Sequence, residues 1–265
     1  MIARSEYKIA LQAAIAASKE IMRFYIAGFE TEIKQDGSPV TQADLAASEV
    51  IDFFLKPTNI PITGEETHKI DYEFRQHWDE SWCVDPLDGT KEFVKKNGEF
   101  AVNIALIRSG QPIFGIIASP VHETILFGGK ETGVFHSTFE EIEFPMHWQE
   151  LKKPISMQLP FVLTCSRSHH SGPMIQLITE LSHSYDPIDF LKKGSSLKFF
   201  DLAFGRAAIY PRFAPTMEWD IAAGQAILEG LGGAVIDAST QQPLIYNKEN
   251  LLNPSFIAKI APLME

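Results

Sequence analysis

Cysteine is scarce in this chain: among 265 residues there are two, Cys83 and Cys165. Two isolated thiols build neither a disulfide framework nor a zinc site. They fit a reducing, cytoplasmic setting in which each packs as a small apolar side chain. Long apolar runs are missing as well. No stretch approaches the roughly 20 residues that a membrane span requires. The opening residues, Met1-Ile2-Ala3-Arg4-Ser5-Glu6, lack the apolar core and cleavage pattern of a secretory leader. There is no internal repeat and no low-complexity tract. Positive charge is under-represented, with 23 Lys and Arg against 34 Asp and Glu, a net of −11. That balance argues against a nucleic-acid polymer as partner, because such binding needs a basic surface.

What is present describes a globular protein. The composition is 45% hydrophobic and 22% charged, and a chain of this length buries roughly three quarters of its unfolded surface. A prior of about 150 residues per domain allows one large domain or two small ones. The charge is unevenly placed. Residues 1–150 carry 13 Lys and Arg against 24 Asp and Glu, whereas 151–215 carry 8 against 4. An acidic first part followed by a basic stretch suits metal ions beside an anionic substrate, although a solvated acidic surface has the same composition.

Residues 6–26 are rich in Ala, Ile, Lys and Glu and predict a helix. A second helix is expected over 41–55, capped by Thr41 and ended by Pro57. Short strands are expected at 60–63 and 82–84, the latter broken by Pro86. Residues 101–135 read as a meander of four antiparallel strands. Residues 136–158 are polar, with Pro145 and Pro154, and read as an excursion or linker. Beyond them strand and helix alternate: a strand at 161–165, helices at 174–182, 196–208 and 219–231, and a strand from 234. The pattern is α+β in the first part and α/β in the second, in layers, with a domain division drawn between 1–155 and 156–265.

The run Trp82-Cys83-Val84-Asp85-Pro86-Leu87-Asp88-Gly89-Thr90 holds the chemistry. A short apolar strand delivers two carboxylates, and Pro86 forces the chain to turn between them. Asp85 and Asp88 then converge, with the Leu87 carbonyl beside them, as the oxygen ligands that a hard cation such as Mg²⁺ prefers. Gly89 and Thr90 open a short helix whose amides could seat a phosphate. Asp-Pro-x-Asp-Gly is also an ordinary turn sequence, so other acids matter. Glu65 follows a strand in Thr63-Gly64-Glu65-Glu66; Asp220 and Asp44 each fall in the first turn of a helix, where a carboxylate also suits the helix dipole.

Taken together, Gly64-Glu65-Glu66, Asp85-Pro86-Leu87-Asp88-Gly89-Thr90 and Trp219-Asp220-Ile221-Ala222-Ala223-Gly224 resemble the inositol monophosphatase superfamily. The resemblance spans essentially the whole chain. It implies Mg²⁺-dependent phosphatases with a layered αβαβα sandwich fold. Residues 91–107, Gly194-Ser195-Ser196-Leu197-Lys198 and Tyr210-Pro211-Arg212-Phe213 are further similar to its 3′(2′),5′-bisphosphate nucleotidases. That branch removes the 3′-phosphate from the small molecule adenosine 3′,5′-bisphosphate. An inositol monophosphatase, a sugar-bisphosphatase and a non-catalytic nucleotide sensor stay as alternatives.

By the same resemblance, Glu65, Asp85 and the Leu87 carbonyl bind one Mg²⁺, and Asp85, Asp88 and Asp220 bind a second. A weaker third ion lies near Glu65. Asp44, Thr90 and Glu65 orient the attacking water. Gly89 and Thr90 hold the scissile phosphate, and Gly194, Ser195 and Ser196 lie near the sugar or base. Lys198, Arg206 and Arg212 offer cations to a substrate with two phosphates, Arg as a bidentate partner and Lys as a point charge. Cys83 and Cys165 take no part. His169-His170 reads as a loop or substrate edge.

Overall fold

Residues 5–27 contain neither Gly nor Pro and fold as one helix, α1 (Ser5–Ala27), which buries an Ala-rich stripe and ends at Gly28 with φ +104°. The computed structural model describes residues 4–33, 39–154, 160–166 and 172–260. A small hairpin, β1 (Thr31–Ile33) with β2 (Pro39–Thr41), follows. It leads into α2 (Gln42–Leu55), which starts with a capping box between Thr41 and Asp44.

Next come β3 (Ile62–Gly64), α3 (Tyr72–Arg75), β4 (Glu80–Asp88) and α4 (Thr90–Val94). The meander is β5 (Ala101–Arg108), β6 (Gln111–Ser119), β7 (Thr124–Gly129), β8 (Gly133–Thr138) and β9 (Gln149–Leu151). The remainder is β10 (Phe161–Cys165), α5 (Gly172–Ser182), β11 (Ile188–Lys192), α6 (Lys198–Ala203), β12 (Ile209–Arg212), α7 (Glu218–Gly230), β13 (Ala234–Asp237) and β14 (Phe256–Lys259).

Strands β3 to β9 form one seven-stranded sheet in sequence order, antiparallel except for the β3–β4 pair. Strands β11, β10, β12, β14 and β13 form a second sheet. The period-2 geometry of a strand assigns each side chain to a face. In β5, Val102, Ile104 and Leu106 join the core under α1 and α2, while Ala101, Ala105 and Ile107 face a second core with α6, α7 and the other sheet. A third core joins Phe161, Leu163 and Ile209 to Met174 and Leu181 of α5. The layers therefore run α, β, α, β, α, as expected.

Helix α7 sits close on the large sheet. A Cβ on Gly115 would lie 2.2 Å from the Ala223 carbonyl oxygen, and one on Gly224 would lie 2.3 Å from the Phe199 ring. Only glycine permits these approaches, and they fix where the middle of α7 stands relative to β6 and α6.

Three expectations need correction. The strand expected at 82–84 runs on to Asp88, and Pro86 sits in it where the β4–β5 register shifts between Asp85 and Asp88. A residue without an N–H is accommodated by a bulge instead of a turn. Residues 136–154 are no linker: β8 extends to Thr138 and β9 closes the sheet edge. Trp148 packs edge-on against Phe127 and donates its Nε1–H to the Ile142 carbonyl. The helix expected at 196–208 holds only over Lys198–Ala203, because Gly205 adopts φ +68°. Strands β11, β12 and β14 lie in segments for which no element is expected; β12 hides behind Pro211, and β11 is largely exposed. The division at 155 and 156, and His169-His170, lie outside the described residues.

Candidate active site

Two acidic side chains arrive on one strand end. Asp85 is 1% exposed and accepts the Leu87 N–H at 3.0 Å, so the bulge around Pro86 is tied back on its own carboxylate. Asp88 leaves the same strand half-buried. The third carboxylate comes from α7, where Asp220 accepts the Met217 N–H at 2.9 Å in the first turn. One ligand oxygen from each of Asp85, Asp88 and Asp220 lies within 4.8 Å of the others.

The electrostatics of this trio are those of a site built for a cation. Burial, then Glu65, Asp88 and Asp220, raises the Asp85 carboxyl well above its ordinary value. Burial, then Asp88, pushes Asp220 up to about 8. Asp88 is raised by burial and opposed by Lys198. Three carboxylates cannot stay ionised together in a buried site without compensation. A divalent cation supplies it, and an all-oxygen donor set suits a hard ion. The residues present fit a metal centre.

Glu65 stands beside the trio, outside the 4.8 Å group. Its N–H donates to the Val84 carbonyl at 3.1 Å, which places it where β3 ends against β4. Its nearness shows in its effect on Asp85.

A second constellation joins α2 to α4. The Asp44 carboxylate accepts the Thr41 N–H at 2.7 Å and the Thr41 hydroxyl at 2.6 Å on Oδ2. Its Oδ1 lies 2.9 Å from the Thr90 hydroxyl, which is also 3.2 Å from the Leu87 carbonyl. Burial pushes Asp44 up to about 6. Gly89 between the two motifs has φ +97°, and a Cβ there would meet the Glu99 carbonyl at 3.0 Å.

The cleft beside the trio has a volume of about 250 Å³. Asp88, Gly89, Gly194, Ser195, Ser196, Lys198, Arg212 and Asp220 all line it, so most of the residues expected at the substrate meet in one place. Asp44, Glu65, Asp85, Leu87 and Thr90 stand behind or beside it. Lys198 is 2% exposed; it donates to the Ser195 carbonyl at 2.8 Å and lies over the Tyr210 ring. Burial pulls its ammonium down to about 8, and Asp88 holds it up. Arg212 donates to the Ser166 hydroxyl at 3.1 Å, and its buried Nε has no hydrogen-bond partner among the described residues. Arg206 does not join them. It is exposed, 3.6 Å from Asp201 and stacked on Phe204.

Sequence reasoning missed several contributors. Lys91, Lys193 and Ser166 also line the cleft. Asn103 is 1% exposed; it donates to Asp88 Oδ2 at 3.3 Å and accepts the Ser196 hydroxyl at 2.6 Å on Oδ1. The Ser196 N–H reaches the same Asp88 oxygen. The available signal was a lone Asn in an otherwise apolar strand, in phase with Ala101 and Ala105. Glu99 accepts the Gly194 N–H at 2.8 Å and so anchors the loop before Ser195.

A profile of the inositol monophosphatase family matches residues 3–264. The chain belongs to the inositol monophosphatase family. Within it, the 3′(2′),5′-bisphosphate nucleotidase CysQ of Salmonella typhimurium is 39% identical over 255 residues, 92% of this chain and 96% of that protein. The CysQ protein of Escherichia coli K12 is 40% identical over 260 residues, 94% and 97% of the two chains. The crystal structure of CysQ from Bacteroides thetaiotaomicron, described as a bacterial member of the family, matches with a TM-score of 0.85 and 38% identity, covering 97% of this chain and 98% of that one. The family is metal-dependent, in keeping with the acidic trio. Among the described residues no helix is long and apolar enough to cross a membrane.

Proposed function

We propose that this family member is a Mg²⁺-dependent 3′(2′),5′-bisphosphate nucleotidase that hydrolyses adenosine 3′,5′-bisphosphate to AMP and phosphate. The observation that carries this reading is the shared cleft. Asp88 and Asp220, two members of a carboxylate trio suited to a cation, line the same cleft as two buried or half-buried cations, Lys198 and Arg212. A single phosphate needs the first; a substrate with a second phosphate uses both. The relatives named CysQ, about 40% identical over nearly their whole length, support the same substrate.

Asp85, Asp88 and Asp220 would hold one Mg²⁺; Asp85, Glu65 and the Leu87 carbonyl a second, with a weaker third ion near Glu65. Mg²⁺ at such donors acidifies water and neutralises phosphoryl charge. The chain does the rest. Thr90 donates its hydroxyl hydrogen bond to Asp44, which leaves the Thr90 oxygen free to accept a hydrogen bond from a water whose lone pair then faces phosphorus. Glu65 accepts the other side of that water. The amides of Gly89 and Thr90 receive the phosphate oxygens, and the positive φ of Gly89 brings its backbone close. Water oxygen bonds to phosphorus as the bond from phosphorus to O3′ breaks; the attacking water gives one proton to the Glu65 carboxylate, and the leaving O3′ takes one from a solvent water. Gly194, Ser195 and Ser196 face the sugar and base, while Lys198 and Arg212 hold the 5′-phosphate.

The regiochemistry of the product tests this arrangement. Adenosine 3′,5′-bisphosphate should give 5′-AMP. Formation of 3′-AMP would mean that the phosphate at the trio is the other one, and the roles given to Lys198 and Arg212 would fall.

A further inference from the structure

We infer that Lys69, which lies outside the motifs that define the site, is a positioning residue that straps the Glu65 loop onto the first turn of α7 and so sets the spacing between Glu65 and Asp220. The inference rests on the metal-binding reading of those two carboxylates.

Glu65 and Asp220 come from elements far apart in the chain, and something must hold one against the other. The start of the Glu65 segment is fixed by the sheet. Gly64 pairs with Val84 so closely that a Cβ would lie 2.4 Å from the Val84 carbonyl oxygen. The far end is fixed by Arg75, which is 4% exposed. Arg75 donates to Asn247 Oδ1 at 2.9 Å and to the Glu249 carbonyl at 2.8 Å. That turn is in turn held by α7, because Glu218 accepts the N–H groups of Asn247 at 2.6 Å and Lys248 at 3.1 Å.

Lys69 makes the link at the middle. Its ammonium donates to the Glu65 carbonyl at 2.8 Å, to the Thr67 carbonyl at 3.3 Å, and to the Gly64 carbonyl. Three converging carbonyl oxygens match the three donors of one ammonium. The same nitrogen sits 4.5 Å from the centroid of the Trp219 ring, the neighbour of Asp220. A cation over an indole face is attracted by the negative π-face of the ring; Trp219 is 5% exposed, whereas Lys69 reaches it from an exposed position. One charge thus gathers the backbone that carries Glu65 and presses it on the helix turn that carries Asp220. Removing the charge frees three carbonyls to turn toward water and lets the loop drift from the trio.

The test uses Lys69→Met, which keeps length without charge, and Lys69→Arg, which keeps a cation able to stack on indole. Two readouts are taken on the whole protein: calorimetric binding of Mg²⁺ without substrate, and tryptophan emission of the chelated protein. Loss of a ligand-supporting contact weakens metal affinity by about tenfold, and that is the shift expected for Lys69→Met. KM for adenosine 3′,5′-bisphosphate should stay within about twofold, since the lost contact is not to substrate. Lys69→Arg should recover most of the Mg²⁺ affinity. The emission change between the wild-type chain and Lys69→Met should vanish in a Trp219→Phe background. Wild-type Mg²⁺ affinity in Lys69→Met would overturn the inference. So would a rise in KM alone, or an emission change that survives Trp219→Phe. A wild-type chain that binds no Mg²⁺ but shows the Trp219-dependent emission change would instead overturn the metal-binding reading on which the inference rests.

Discussion

The Thr90 hydroxyl lies 2.9 Å from Asp44 Oδ1, across 46 residues of sequence, and joins the cap of α2 to the start of α4. Thr90 can aim a water only if its own proton is committed to Asp44. Thr90→Ala should lower kcat by roughly 10²-fold, the lower range for a positioned proton-transfer group, with little change in KM. Thr90→Ser should keep most of the rate. A Thr90→Ala enzyme with wild-type kcat would remove Thr90 from the reaction.

The trio predicts a metal defect that separates from folding. Asp220→Asn should raise the Mg²⁺ concentration for half-maximal activity by at least about tenfold, the scale of a damaged metal site. Its chelated form should unfold at a temperature no lower than the wild type, because an amide cannot ionise beside Asp85 and Asp88. Calorimetric titration with Mg²⁺ and a thermal scan with chelator read the two effects separately.

The trio also sets a pH dependence for the chelated protein. The Asp220 carboxyl stands near 8 in the fold and near 3.9 in an unfolded chain. Between those values the folded state holds a proton that the unfolded state has lost, so stability falls as pH rises, up to about pH 8. The chelated protein should therefore melt at a lower temperature at pH 8 than at pH 6. Saturating Mg²⁺ should raise the melting temperature more at pH 8, because metal and proton compete for the same oxygens. A chelated protein more stable at pH 8 than at pH 6 would contradict the electrostatics of the site.

Substrate choice should reside in the cations of the cleft. A hydrogen bond to a charged group is worth about 1.5–3 kcal/mol. Lys198→Ala and Arg212→Ala should each lower kcat/KM for adenosine 3′,5′-bisphosphate by roughly 10- to 100-fold on that scale. Turnover of a monophosphate should be far less affected. Arg206→Ala should change neither, since Arg206 is exposed and paired with Asp201.

Close packing of α7 makes a stability prediction. Gly115→Ala places a methyl group 2.2 Å from the Ala223 carbonyl oxygen, an overpacking that costs about 1–3 kcal/mol. Denaturant unfolding should show the loss, accompanied by weaker Mg²⁺ binding because α7 carries Asp220.

Much of this was legible in the sequence, for local reasons. Asp85, Asp88, Gly89 and Thr90 fall within six residues, so one motif brings them together whatever the rest of the chain does. The helices α1 and α2 and the meander follow from apolar periodicity and caps. What stayed hidden depends on the third dimension. Pro86 looks like a strand breaker until β5 is seen opposite it with a shifted register. Asn103 looks like an isolated polar residue until Asp88 and Ser196 approach from either side. Strand β12 carries a proline, β11 is mostly exposed, and β9 has three residues, so none shows a clear alternation. Lys198 and Arg206 have the same charge and fall within one expected continuous helix; α6 ends at Ala203, which leaves Lys198 in the cleft and Arg206 in solvent.

The measurement that tests the central claim most directly is phosphate release from adenosine 3′,5′-bisphosphate and from inositol 1-phosphate, side by side, with Mg²⁺ and with chelator. The account predicts fast release from the nucleotide, abolished by chelator, and little from the inositol phosphate. Release mainly from inositol phosphate, or release from the nucleotide that persists in chelator, would contradict it.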